Sequence, residues 1–206
     1  MQGEPLSTVA VTGGMGSGKS SVARYLSEIS GALFVDADGI CRQLLEPGAS
    51  GWLALRAAFA ERFFEADHCL DRVLLRKAIF ADDVLRNEVN ALLHPLVRNE
   101  IHECVMRCGR GGAAQRVVVE VPLLYEARWQ DDFLRVVVVY ADSDVCLDRI
   151  VARDHVGREE ALRSMGKQIP LFQKSVWADH VIYNNGPWSE SCLQIHHLNA
   201  VLWPEK

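Results

Sequence analysis

Several things are missing from this sequence, and each absence narrows its class. No apolar run approaches the roughly 20 residues that a membrane-spanning helix needs. The first residues, Met-Gln-Gly-Glu-Pro, show no basic segment followed by an apolar core, so no secretory signal is expected. Six cysteines are present, but none forms a Cys-x-x-Cys pair. Without an export signal they read as reduced thiols, and the expected location is cytoplasmic. Cys104 with Cys108, and Cys192 with His196, stand at helical spacing for metal binding. Neither has a second pair to complete a site, so packed or surface residues are the favoured reading. There is no internal repeat and no low-complexity tract. There is also no excess of positive charge. The formal net charge of −5 argues against broad affinity for nucleic acid or acidic membrane. An anionic substrate must therefore be held by local Arg and Lys side chains.

What is present is ordinary in bulk and distinctive in one stretch. The 206 residues are 49% hydrophobic and 24% charged, as in a soluble globular chain of one domain with insertions. Near the start, Gly13 to Ser20 reads Gly-Gly-Met-Gly-Ser-Gly-Lys-Ser, the pattern G-x-x-x-x-G-K-[ST]. An apolar, β-branched run, Ser7 to Thr12, precedes it and reads as a buried strand. Ser21 to Glu28 follows and reads as a helix, with Val22 and Leu26 on one face. Glycines leave the backbone amides uncovered, successive N–H groups form an anion cradle, and the helix N-terminus adds positive potential. Gly14, Met15, Gly16, Ser17, Gly18, Lys19, Ser20 and Ser21 are thus candidates for binding a nucleoside triphosphate. Lys19 reaches the β- and γ-phosphates in this motif, and the Ser20 hydroxyl ligates Mg²⁺.

A second short strand, Gly31 to Val35, ends at Asp36-Ala37-Asp38 and completes a βαβ unit with parallel strands. Ligands bind beyond the carboxyl ends of such strands, which places this carboxylate pair on the phosphate side. Asp38-Gly39 also suits the start of a helix, and position alone leaves both readings open. From Ile40 to about Arg110 apolar pairs recur at helical spacing and no strand is convincing. Turns are expected at Glu46-Pro47-Gly48 and around Asp67-His68. His94-Pro95 reads as a break or a new helix start. A helical insertion of this length is too long for a simple crossover and suits an acceptor site. Within it, Arg72 and Arg76 share a face and repel unless an anion lies between them; a solvated basic face is the alternative.

Gly109 to Gly112 reads as a loop. Val117 to Val121 and Leu134 to Tyr140 are continuous apolar runs, as expected of strands buried on both faces of a parallel sheet. Glu120 lies near the end of its strand. It suits an acid behind a bound Mg²⁺, or equally a structural carboxylate beside the phosphate loop. Arg149 and Arg153 lie on a helix from Asp144 to Arg153, followed by a polar segment from Glu159 to Gln168. Arginines in a polar excursion suggest a lid, with an exposed amphipathic helix as the alternative. A last strand, His180 to Tyr183, precedes Asn184-Asn185-Gly186, and a final helix from about Ser189 packs Leu198, Val201 and Leu202 inward.

The order of these blocks resembles the dephospho-CoA kinases nearly end to end. The matching segments are Thr12 to Ser20, Asp36-Ala37-Asp38, Glu46-Pro47-Gly48, Leu70-Asp71-Arg72, Leu75-Arg76, Ile79-Phe80, Leu92-Leu93-His94-Pro95, Val121-Pro122-Leu123-Leu124 and Glu126. Later come Arg149, Arg153-Asp154, Gln168, Ala178-Asp179 and Asn184-Asn185-Gly186. The resemblance implies an α/β fold: a three-layer P-loop kinase with a five-stranded parallel sheet, a helical substrate-binding insertion and a lid. The corresponding boundaries are a core at 7–39, 114–145 and 176–206, a CoA-binding region at 40–113 and a lid at 146–175. It implies transfer of the ATP γ-phosphoryl group to the ribose 3′-hydroxyl of dephospho-CoA, with Mg²⁺ as cofactor. By the same resemblance Asp38 contacts the accepting hydroxyl, Lys19 and Arg149 act on the transferred group, and Asn184 joins the ATP site. Asp38, Arg72, Arg76, His94, Pro122 and Leu123 fall in the acceptor site. The implied partners are ATP and dephospho-CoA alone, with no nucleic acid, membrane or obligatory protein partner. Ser21 stands where the family usually has Thr, and Tyr183 where an Asp is common. A different small-molecule or nucleoside monophosphate kinase, and a nucleotide-dependent switch, are the alternatives.

Overall fold

The computed structural model describes residues 7–65, 69–110 and 116–204. The expected turn around Asp67-His68, and Gly111-Gly112 of the expected loop, lie outside the described residues. The chain divides into two compact units. One comprises Met1–Asp36 and Val105–Lys206, the other Ala37–Cys104.

The first unit is built on five strands: β1 (Ser7–Gly13), β2 (Leu33–Asp36), β3 (Arg116–Glu120), β4 (Arg135–Tyr140) and β5 (His180–Tyr183). They form one parallel sheet in the order β2-β3-β1-β4-β5. All five coincide with the apolar runs of the sequence. Val9 to Val11 and Val136 to Val139 are buried without alternation, as strands covered on both faces must be. On one face α1 (Lys19–Ser30) and α9 (Trp188–Leu202) bury Val22, Leu26, Ile195 and Leu198 against Val9, Val11, Val137, Val139 and Ile182. Val22 and Leu26 lie inward as their spacing requires. Val201 does not: it is 50% exposed, and Ile195 and Trp203 are buried instead. The inward face of α9 follows 195, 198 and 202, and Val201 falls beside it.

β5 is an edge strand whose outer backbone groups need partners. Gln194 supplies both, its Oε1 accepting the Tyr183 N–H and its Nε2 donating to the Tyr183 carbonyl, each at 2.8 Å. Between β4 and β5 the chain forms α6 (Ser143–Asp154), α7 (Arg158–Met165) and α8 (Leu171–Trp177). α6 and α7 pack through Leu147, Ile150 and Ala161. Arg158, the first residue of α7, donates to Asp148 of α6 at 2.6 Å.

In the second unit the described residues form α2 (Ala37–Leu44), α3 (Ser50–Phe59), α4 (Arg72–Ala81) and the start of α5 (Asp83–Arg110). Trp52, Leu55, Phe63, Phe64, Leu75, Leu85, Val89 and Leu93 form its core. Phe64 and Leu70 make an isolated antiparallel bridge. The Glu46-Pro47-Gly48 turn is present, with Gly48 at φ 83° and the Ala49 N–H donating to the Glu46 carbonyl.

α5 corrects two expectations. It runs unbroken through His94-Pro95 and includes Gly109 and Arg110. Pro95 has no N–H for the Ala91 carbonyl, and an interior proline costs a helix about 3 kcal/mol. Leu85, Val89, Leu93, Val97 and Ile101, at four-residue intervals, are all buried along this helix. That apolar stripe outweighs the lost bond, since most helical stability in proteins comes from packing.

Candidate active site

β1 ends at Gly13 and α1 begins at Lys19, so the motif spans the turn from the central strand into the helix. The glycines are there because nothing larger fits. Gly16 and Gly18 have φ of 78° and 87°, a region that side chains disfavour. A Cβ on Gly13 would stand 2.6 Å from the Ser17 hydroxyl and 2.7 Å from the Val139 carbonyl. One on Gly16 would overlap the Cys146 carbonyl, and one on Gly18 the Asn184 amide. The loop therefore presents backbone N–H groups at the N-terminus of α1, an arrangement suited to a polyphosphate.

Side chains from distant positions hold the loop. Asn184 is buried; its Nδ2 donates to the Ser17 carbonyl at 2.8 Å, and its Oδ1 accepts from the Ser191 hydroxyl at 2.9 Å. Both halves of the amide are thus engaged, and Asn184 holds the loop at Ser17. Gln168 Oε1 accepts the Met15 N–H at 3.0 Å. Lys19 Nζ lies 3.5 Å from the Gly14 carbonyl, and Arg149 Nη1 lies 3.5 Å from that of Gly16, so both cations flank the cradle. Ser20 donates to Glu120 Oε1 at 2.5 Å. Glu120 is 5% exposed, at the end of β3. A hydroxyl backed by a buried carboxylate is a hard-oxygen donor set that fits Mg²⁺. Ser21 is exposed on the first turn of α1. Arg153 is bound bidentately to its neighbour Asp154 at 2.7 and 2.8 Å, a hydrogen bond that raises its pKa further. Pro122 accepts at its carbonyl from the Thr12 hydroxyl at 3.3 Å, and Leu123 beside it is 40% exposed.

The second unit holds a separate hollow of about 260 Å³, lined by Asp38, Cys41, Arg42, Leu45, Arg72, Leu75, Arg76 and Ile79. Asp38 lies in the first turn of α2, where a carboxylate is favoured by the helix dipole. Asp71 caps α4 by accepting the Leu74 N–H at 2.8 Å, which sets where Arg72 and Arg76 emerge. Arg72 reaches the end of α2, donating to the Arg42 carbonyl at 3.2 Å and to Glu46 Oε1 at 2.8 Å. Glu46 relieves the repulsion that the arginine spacing implied. Cys41 in this wall is held protonated by burial and then by the Asp38 charge, both of which raise its pKa. His94, half-buried in α5, has its pKa lowered by burial, which favours the neutral imidazole.

The loop, Asp38 and both arginines are legible in the sequence. Arg42 and Cys41 carry no local signal as lining residues, although α2 places them one turn beyond Asp38. Gln168 carries none either, because only the folded chain brings it to Met15.

Comparisons with known proteins give the family and the fold. A family model described as dephospho-CoA kinase matches residues 7–190. A dephospho-CoA kinase of Desulfotalea psychrophila is 35% identical over 187 residues, covering 91% of this chain and 93% of that one. That of Shouchella clausii is 37% identical over 188 residues, covering 91% and 94%. A crystal structure from Thermus thermophilus superposes with a TM-score of 0.82 at 28% identity, over 97% of this chain and all of that one.

Removing the Asn184 amide orphans the buried Ser17 carbonyl and frees the loop. Asn184→Ala is expected to weaken ATP binding about tenfold, measured by titration calorimetry. An unchanged affinity would mean that the loop keeps its shape without this contact.

Proposed function

The chain belongs to the dephospho-CoA kinase family, and from that premise we propose how its residues carry the ATP-dependent phosphorylation of dephospho-CoA to coenzyme A. The observation that carries the reading is the hollow of the second unit. Asp38, Arg42, Arg72 and Arg76 line this one cavity together with Leu45, Leu75 and Ile79, and its wall is mostly apolar. A ribose hydroxyl next to a pyrophosphate asks for that combination: a carboxylate for the hydroxyl and guanidinium groups for the phosphates. His94, Pro122 and Leu123 belong to the acceptor site in this proposal by family likeness; they are not among the residues that line the hollow.

The ATP polyphosphate occupies the amides of Gly14 to Ser20, with Lys19 on the β- and γ-phosphates. Ser20 would hold Mg²⁺, with Glu120 behind it. The metal, when bound, neutralises charge on the phosphate oxygens. The γ-phosphoryl group forms a bond to the ribose 3′-oxygen as its bond to the β-phosphate oxygen breaks, and ADP leaves with that electron pair. Such a transfer needs positioning and charge stabilisation more than covalent chemistry. Arg149 adds positive charge as the transition state forms, and residues 146–175 act as the lid that excludes water, the competing acceptor. Asp38 turns the hydroxyl toward the phosphorus and takes its proton. An ordinary Asp has a pKa near about 4, so the proton moves late, when the oxygen is already bonding to phosphorus.

The setting in this proposal is the cytoplasm. The six cysteines are all free thiols, and no described helix is long and apolar enough to cross a membrane.

The activity is tested by ADP release with Mg-ATP, with and without dephospho-CoA, beside nucleoside monophosphates and shikimate. Stimulation by dephospho-CoA alone, with CoA as product, is expected; stimulation only by another acceptor would reassign the substrate. Asp38→Asn is expected to lower kcat about 10²-fold or more with little change in the ATP KM. A kcat within a few-fold of the parent would remove Asp38 from the proton transfer. Arg76→Ala is expected to raise the KM for dephospho-CoA by about tenfold and leave that for ATP nearly unchanged. Equal effects on both substrates would place Arg76 outside the acceptor site.

A further inference from the structure

α7 ends at Met165, and the chain returns toward β5 through Gln168, Ile169, Pro170 and α8. This return is fixed at several points. Gln168 Oε1 accepts the Met15 N–H at 3.0 Å. Because the partner is an N–H donor, the amide is oriented with its oxygen toward the loop. One residue on, the Ile169 N–H donates to Glu126 Oε1 at 3.0 Å. The same oxygen pairs with Lys174 Nζ at 2.7 Å, and Lys174 has no exposed surface. A buried ammonium of this kind depends on its carboxylate, so the pair holds the start of α8 firmly against the turn after β3. Leu171 then lies over Gly14, where an added Cβ would stand 3.3 Å from its methyl group.

Met15 is gripped a second way. Its side chain packs with Val151, Val156 and Met165 against Leu147, Ile150 and Ala161, the cluster that joins α6 to α7. A residue in the middle of the phosphate loop is thus held through its main chain by Gln168 and through its side chain by the two helices of the lid segment. The peptide between Gly14 and Met15 is held at its carbonyl by the Ser17 N–H at 3.3 Å and by Lys19 Nζ at 3.5 Å. Gln168 holds its other end, the Met15 N–H.

We propose that Gln168 is a positioning residue for phosphoryl transfer. By holding the Met15 amide it fixes the plane of the Gly14–Met15 peptide and the alignment of the amides that follow. The Glu126–Lys174 pair holds Gln168 in place. This hydrogen bond ties the Met15 end of the loop to the segment that follows α7, and losing it loosens that part of the cradle rather than removing a ligand. The proposal rests on the reading of the loop as the ATP site.

Two variants separate this role from a structural one. Gln168→Ala removes the acceptor, whereas Gln168→Glu keeps an acceptor oxygen at the same reach. Misplacement of reacting groups by about 1 Å costs up to about 10²-fold in rate. Gln168→Ala is expected to lower kcat at saturating substrates about tenfold and to weaken ATP binding by a similar factor. Gln168→Glu is expected to keep kcat within about threefold of the parent. A residue that only stabilised the fold would lower the Tm of Gln168→Ala and leave kcat unchanged well below that Tm. That result, or equal losses in both variants, overturns the proposal. ATP affinity is read without an acceptor. If the parent shows no turnover with dephospho-CoA, the substrate reading fails, and the ATP Kd of the two variants still decides the role of Gln168.

Discussion

A loop built largely of glycine cannot hold its own shape. Gly13, Gly16 and Gly18 are needed because a Cβ would collide with neighbours or strain the backbone. The same lack of side chains leaves the loop few contacts of its own. Its geometry must be imposed from outside, and the first unit supplies that support from several directions. Asn184 takes the Ser17 carbonyl, Gln168 the Met15 amide, Glu120 the Ser20 hydroxyl, and α6 closes on Gly16. The sheet carries Glu120 and Asn184 to the loop from the ends of β3 and β5, and the segment between α7 and α8 brings Gln168.

The parallel sheet makes this possible because its strands are buried on both faces and end together. Continuous valine runs bury β3 and β4, and their carboxyl ends deliver Glu120 and the turn into α6 on the side where β1 delivers the loop. Burying Glu120 would be costly without a partner, and the Ser20 hydroxyl provides one. Lys174, also buried, is paired with Glu126 beside the segment between α7 and α8. Glu120 holds the first turn of α1 through Ser20, and Glu126 holds the backbone before α8 through the Ile169 N–H.

In the second unit the governing constraint is like-charge repulsion. Arg42, Arg72 and Arg76 line one hollow, and Glu46 offsets part of that charge from the end of α2. Arg72 is tied to backbone and carboxylate, while Arg76 is exposed on the same wall. An anionic acceptor would complete the neutralisation, which is why this hollow suits a pyrophosphate-bearing substrate better than a neutral one.

The sequence by itself determined what depends on short-range sterics and periodicity. The strand–loop–helix around Gly13 to Ser20 was legible because glycine freedom, the β-branched run and the helical spacing all act within a few residues. The five strands were legible for the same reason, and so was the helical character of the insertion. The resemblance to dephospho-CoA kinases, which added the acceptor and the role expected of Asp38, rested on ordered blocks that the family model and the relatives bear out at the level of the family. Only the tertiary structure decided which side chains serve the loop. Gln168 and Asn184 meet it across 153 and 167 residues of chain, and local pattern carries no information about such contacts. Pro95 shows the same division in reverse. Local rules predict a break or a new helix start, and a buried stripe along α5 overrules them. Local sequence sets what each segment prefers to be; the sheet order and the packing of distant residues set which of those preferences survive and what each side chain touches.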